Sequence, residues 1–253
     1  MGLLEGKTVI VTGAGKADSL GYGVATAFAR EGAGLVVTGR NKSRLASARE
    51  LEEFGHEVLP LVVEGVGAEG VPEAVDEAAA HFGRIDALVN CAQLAKVGTP
   101  LADMSVNDFR QTLDSGLVSA FAWMKACFPH LKATHGSVVN FASASASSGA
   151  PGEASLAAAK EGVRGLTRVA AAEWAADGVT ANVVCPLVGG SEFDAWAEEF
   201  PEEGAALLAQ VPTGRLGEAE ADVGGLCVFL CGPAARCLTG QTICVTGGMY
   251  LRP

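Results

Sequence analysis

Apolar and polar positions fall along this chain in alternating blocks. Short, nearly continuous apolar runs at Lys7–Thr12, Leu35–Thr38, Val58–Val63, Ala87–Asn90, Ser137–Phe141, Thr180–Val184 and Thr242–Val245 predict seven strands. Between them, stretches of helical spacing occupy Gly23–Glu31, Lys42–Phe54, Val71–Phe82, Val106–Leu131, Ala154–Ala176 and Ala219–Leu230. A strand that is apolar at successive positions is buried on both faces, and the helical connectors supply that cover.

Right-handed crossovers between such strands lead to one α/β domain over residues 1–253. It is expected to be a single Rossmann-type, doubly wound parallel sheet of about seven strands with helices on both faces. No linker, repeat or low-complexity segment interrupts it. Gly178, after Ala175-Ala176-Asp177, is suited to stop a helix, and the Ala-rich body of that helix permits close packing. The least regular segment is 187–215, containing "GGSEFDAWAEEFPEEG"; it would lie over the carboxyl ends of the strands, where a substrate loop belongs.

Composition narrows the function. A formal charge of −11 argues against a duplex-DNA surface or an anionic membrane partner, although a local pocket can still hold an anionic small molecule. No apolar run approaches the ~18 residues of a membrane span, and the amino terminus has no signal-peptide or myristoylation pattern, so a cytoplasmic address is expected. The seven cysteines include no Cys-x-x-Cys pair. Cys127, Cys185, Cys227, Cys231 and Cys244 lie in apolar runs, which suits buried reduced thiols; no companion ligands suggest a metal.

Four stretches carry chemistry. "VTGAGKADSLGYGVA", Val11 to Ala25, joins the first strand to the first helix. A glycine-rich turn there lets backbone N–H groups and a helix N-terminus approach a pyrophosphate. "FGRIDALVNCAQ", "GSVVNFASASA" and "LTGQTICVTGG" follow at wide intervals. With these, from Gly6 to Gly248, the chain resembles the short-chain dehydrogenase/reductase superfamily. That family usually spaces Thr-Gly three residues from Gly-x-Gly; here seven separate Thr12-Gly13 from Gly21-Tyr22-Gly23. The longer turn resembles the branch of bacterial enoyl-acyl carrier protein reductases, which has a serine at the place of Ser19.

The resemblance implies a nicotinamide dinucleotide, NADP or NAD, held by Gly13, Ser19, Gly21, Gly23, Arg40, Glu64, Asn90 and Lys160. Where NAD enzymes carry an acid after the second strand, this chain has Gly39-Arg40. Arg40 and Lys16 suit a 2′-phosphate, which favours NADP; otherwise both are solvated surface cations. Glu64 stands where the family usually has Asp.

The same resemblance implies a serine, a tyrosine, a lysine and an asparagine acting together on the substrate oxygen. Ser143 and Lys160 remain as the catalytic pair, although Ser143 lies in "SASASS", where a serine is expected from composition alone. Leu156 stands at the tyrosine's place, four residues before Lys160, and Gly116 at the asparagine's. Cys91 and Gln93 depart from the fourth-strand Asn-Asn-Ala-Gly, and Leu187 replaces the glycine after Pro186. The enoyl reductases place their tyrosine seven residues before the lysine, which here is Glu153, and the only tyrosines are Tyr22 and Tyr250. An alkyl side chain cannot carry a proton, and losing a positioned acid costs on the order of 10²–10⁴ in rate.

One expectation is therefore a catalytically defective subunit of an NAD(P)-dependent alcohol or β-hydroxyacyl-CoA dehydrogenase. It would pair with an active paralogue, or with itself as a dimer or tetramer, through Val106–Leu131 and Ala154–Ala176. The inactive subunit of hetero-oligomeric hydroxyacyl-CoA dehydrogenases, such as that acting on 2-(hydroxybenzyl)succinyl-CoA, is similar in this respect. The other is a self-sufficient NADP-dependent oxidoreductase, or a lyase or isomerase, with Glu153 as base beside Ser143 and Lys160. Glu153 could equally belong to a helix-capping turn. A weaker third is a regulator that senses a dinucleotide.

Overall fold

A computed structural model of the chain describes residues 2–43, 45–64 and 67–251, with Glu192 described by its backbone alone. Seven strands form one sheet: β1 (Thr8–Thr12), β2 (Gly34–Gly39), β3 (Val58–Val62), β4 (Ala87–Asn90), β5 (Ser137–Phe141), β6 (Thr180–Pro186) and β7 (Thr242–Val245). Their order is β3-β2-β1-β4-β5-β6-β7, and every neighbouring pair is parallel. β1 pairs with β2 on one side and β4 on the other, Val9 standing opposite both Leu35 and Ala87. The strand order reverses there, which opens a crevice at the carboxyl ends.

The two-residue period of the strands divides the core. Val9 and Val11 of β1, with Leu35 and Val37 of β2, pack under α1 (Leu20–Arg30) on one face. Ile10, Val36, Leu88 and Val138 face the other way, under α2 (Val71–Phe82) and the long helices. Each such side chain, fully buried, contributes roughly 1.5–3 kcal/mol. This two-sided burial is why the strands read as unbroken apolar runs.

The long helix expected at Val106–Leu131 is divided. α3 (Val106–Leu113) starts on Ser105, whose Oγ accepts from the Asp108 N–H at 3.0 Å. A single wide turn of π geometry, Asp114–Val118, then leads into α4 (Ser119–Thr134). The short α5 (Ala144–Ser148) and the long α6 (Ala154–Trp174) follow β5. Lys42–Phe54, expected to be an amphipathic helix, forms 3-10 turns over Ala46–Phe54. Its only buried side chains, Ala48 and Leu51, are three residues apart, which is the period of a 3-10 helix.

Segment 187–215 is more regular than its sequence suggests. It carries α7 (Ser191–Glu199) and α8 (Pro201–Ala209), the latter opening with proline in its first turn. α9 (Gly225–Cys231) is preceded by a second wide turn, Ala219–Gly224, which packs against α1. No helix among the described residues is long and apolar enough to cross a membrane.

Candidate active site

The glycine turn is shaped by close approaches. Gly13 has φ +68°, and a Cβ there would lie 2.8 Å from the Cα of Ala92. The ends of β1 and β4 thus pass at a distance that admits no side chain. Thr12 locks them, its Oγ1 accepting from the N–H groups of Cys91 and Ala92 at 3.1 Å each. A Cβ on Gly21 would come within 2.7 Å of the Gly13 carbonyl oxygen. Ser19 caps α1: its Oγ accepts from the Tyr22 N–H at 3.2 Å and donates to the Lys16 carbonyl at 2.7 Å.

These elements border a cleft of about 660 Å³ at the strand reversal. Gly13, Ser19, Gly21, Arg40 and Glu64, all expected to bind a dinucleotide, line it, as does Lys16. So do Val188 and Phe193 from the segment above. Gly23 does not; a Cβ there would stand 2.6 Å from the Cβ of Ala219, so this glycine lets α1 pack on its neighbour. The cationic side chains of Lys16 and Arg40 and the N-terminus of α1 on one rim suit a phosphorylated dinucleotide. The fit rests on that donor set.

Asn90 and Lys160 lie deeper, beside a separate cavity of about 10 Å³ that Gly116 also borders. That is close to the size of one water molecule. Asn90 Nδ2 donates to Asn140 Oδ1 at 2.8 Å, and Asn140 donates in turn to Thr167 Oγ1 at 2.8 Å. Lys160 is 8% exposed, and its Nζ donates to the Phe141 carbonyl oxygen at 3.0 Å. Burial drives its pKa down to about 8, with Cys91 and Cys185 pulling weakly the other way.

Ser143 sits at the end of β5 and caps α5, accepting from the Ala146 N–H at 3.3 Å. Its Oγ is 2.8 Å from Ser145 Oγ, and Ser145 donates to Glu153 Oε2 at 2.9 Å. The serine-rich stretch is thus a bonded series ending on a carboxylate, a link the sequence did not reveal. Leu156 is half-buried on α6, one turn before Lys160.

Neither tyrosine reaches this point by a hydrogen bond. The Tyr22 hydroxyl is 3.4 Å from both the Ser47 carbonyl and Glu50 Oε2. Burial first, then Glu50, raises its pKa and holds it as the phenol. Tyr250 packs against the cluster of Ala142, Ala144, Val183 and Cys185; Ala142 and Ala144 flank Ser143 in sequence, a proximity no motif signalled. Its backbone N–H bonds Thr246 Oγ1 at 3.4 Å, while the bonds of Ser143 go to Ser145, Ala146 and Ser147.

Cys127, Cys185, Cys227 and Cys231 are buried and in no disulfide, Cys91 and Cys244 are partly buried, and Cys237 is exposed. No group of three or more His, Cys, Asp or Glu among the described residues is placed to hold a metal.

Sheet, switch-point cleft and glycine turn together define the Rossmann-like class of α/β proteins. The chain belongs to the short-chain dehydrogenase/reductase family: the family model described as Enoyl-(Acyl carrier protein) reductase matches residues 13–250. It is 46% identical over 259 residues to the 12alpha-hydroxysteroid dehydrogenase of a Clostridium species, covering all of both chains. It is 31% identical over 249 residues to the 3-oxoacyl-(acyl-carrier-protein) reductase of Escherichia coli, covering 98% of each. A solved structure described as a short-chain alcohol dehydrogenase of Sinorhizobium meliloti superposes with a TM-score of 0.89 at 31% identity, covering 97% of each chain. The Cj0485 dehydrogenase superposes at 0.90 and 27%, covering 100% of this chain and 98% of that one.

Proposed function

We propose that this chain is an NADP-holding subunit of an alcohol dehydrogenase of the hydroxysteroid dehydrogenase kind. Its own proton route is broken, and it works in company with an active paralogue. One observation carries this reading: the helix turn before Lys160 carries Leu156, a side chain with no hydroxyl. A bound dinucleotide would supply or accept the hydride. Arg40 and Lys16 would face its 2′-phosphate, and the α1 N-terminus its pyrophosphate. Without an acid beside the substrate oxygen, hydride transfer there has no matching proton.

The substrate class is read from segment 187–215, whose Phe193 lines the cleft. Phe193, Trp196 and Phe200 form an aromatic series with centroid spacings of 5.9 and 6.2 Å. Asp194, Glu198, Glu199, Glu202 and Glu203 flank it, with no Lys or Arg between 191 and 214. Such a segment suits an uncharged, flat apolar alcohol or ketone better than the phosphates of an acyl-CoA. The 46% identity to a hydroxysteroid dehydrogenase points the same way.

A second reading has its own observation. Through Ser145, Ser143 is joined to Glu153, so an alcohol proton could pass to Ser143, the serine's own to Ser145, and that of Ser145 to the Glu153 carboxylate. This would make the chain self-sufficient. The test is to titrate the purified chain with NADPH by nicotinamide fluorescence, then assay hydroxysteroid oxidation. The subunit reading expects binding with no turnover. Turnover at ordinary enzyme rates that Glu153→Gln abolishes would establish the second reading instead.

A further inference from the structure

Gly116 and Gln93 fit one another. A Cβ on Gly116 would stand 2.2 Å from Gln93 Oε1 and 2.9 Å from its Cδ and Nε2. The carboxamide of Gln93 therefore fills the space into which any side chain at 116 would project. From that place Nε2 donates to the carbonyl oxygens of Leu94 at 2.6 Å and Thr112 at 3.1 Å. Ser115, beside Gly116, completes the tie: its Oγ accepts from the Leu94 N–H at 3.1 Å and donates to the Leu94 carbonyl at 3.0 Å. The loop leaving β4 is thus fastened to the wide turn Asp114–Val118 by a side chain that comes from the loop.

We infer that Gln93 is a positioning residue which delivers, from the β4 loop, the carboxamide that related dehydrogenases carry on the helix at the place of Gly116. The two departures from the family pattern are then one exchange. Gly116 is glycine because Gln93 occupies its side-chain volume, and Gln93 is glutamine because position 116 offers no amide. Three further facts give the exchange a consequence at the site. Gln93, Leu94 and Ser115 line the large cleft, so the tie sets its floor. Gly116 borders the water-sized cavity beside Lys160. Gln93 Oε1 is buried with no donor, which ordinary packing would not select and which pins the amide by its Nε2 side alone.

The experiment is a double-variant cycle on the full chain with Gln93→Gly, Gly116→Asn and the two combined, read by thermal midpoint and by NADPH affinity. Each single change is expected to lower the midpoint and weaken NADPH binding about fivefold or more. Gly116→Asn collides with Gln93, and Gln93→Gly removes the tie. The combined variant is expected to return within about twofold of the parent affinity, whereas Gln93→Gly with Gly116→Leu, which refills the volume without an amide, is expected to stay as weak as the single variants. Additive effects, or singles without effect, would overturn the inference. The proposal rests on the dinucleotide reading only for the affinity measurement. If the parent chain binds no NADPH, that reading fails, and the thermal cycle still decides the exchange.

Discussion

The ammonium of Lys160 is held by the carbonyl oxygen of Phe141, 3.0 Å away, at the end of β5. In a family where this lysine acts on a neighbouring phenol, the group one turn earlier is here the hydrocarbon of Leu156. Lys160 is therefore a buried cation with one backbone acceptor, and burial brings its pKa from 10.5 to about 8. The unfolded chain keeps the proton up to its ordinary value, so between about 8 and 10.5 it binds more protons than the folded chain. Lys160 thus costs stability below about pH 8, and the cost is relieved as the pH rises through that window.

The gap corresponds to an order of 3 kcal/mol, less about 1 kcal/mol for the bond to Phe141. Lys160→Met is expected to raise the thermal midpoint at pH 7 by roughly 2–4 °C per net kcal/mol gained. That advantage should shrink toward pH 10. Thermal melts of both proteins in matched buffers check it. The comparison must be a difference, because Cys91, Cys127, Cys227 and Cys231 act in the opposite sense. Burial raises their pKa values, so the stability they contribute is present at neutral pH and lost as the solution passes the ordinary thiol range in both proteins.

Leu156→Tyr returns a phenol to the turn before Lys160. On the subunit reading, hydroxysteroid oxidation with NADP by the isolated chain should rise on the order of 10²–10⁴ over the parent. NADPH formation followed by absorbance measures it. A variant that binds NADPH as the parent does and still shows no gain would place the defect elsewhere, with Leu187 the next group to restore to glycine.

Arg40 stands exposed on the rim of the cleft and, among the described residues, makes no ion pair. If it faces a 2′-phosphate, Arg40→Ala should weaken NADPH binding by about tenfold to a hundredfold. NADH affinity should stay unchanged, since that cofactor has no phosphate to lose. Equal weakening of both would assign Arg40 to the general positive field of the rim, and the preference for NADP would fail.

Much of this was legible in the sequence, and the part that was not has a physical cause. β4, β5 and β7 begin and end where the expected runs do; β4 and β5 are buried at every position, and β7, at the sheet edge, is partly buried throughout. The glycine turn was legible through its spacing, although Gly23 serves packing and not the cleft. The division of α3 from α4 was hidden, since one extra residue per turn leaves the apolar spacing on either side intact. Contacts between residues far apart, such as Ser145 with Glu153 or Gln93 with Gly116, follow from tertiary placement and leave no local pattern.

The outer faces of the long helices give the proposed pairing its most direct test. Val118 at the end of the wide turn, Phe121 at the start of α4, and Val169 on α6 are 38%, 49% and 53% exposed. Val118 and Phe121 are three residues apart and share a helix face. Side chains of that kind left in water on adjacent helices suit burial against a second subunit. Phe121→Glu combined with Val169→Glu should dissociate any assembly, since each introduces a charge whose burial is opposed by several kcal/mol. Sedimentation velocity is expected to show the parent larger than a monomer, alone or with a co-expressed paralogue, and the double variant monomeric with an unchanged thermal midpoint for NADPH-loaded protein. A parent that sediments as a monomer both alone and beside the paralogue would remove the partner from the proposal, and with it the reason for a chain to keep the cleft while losing the phenol.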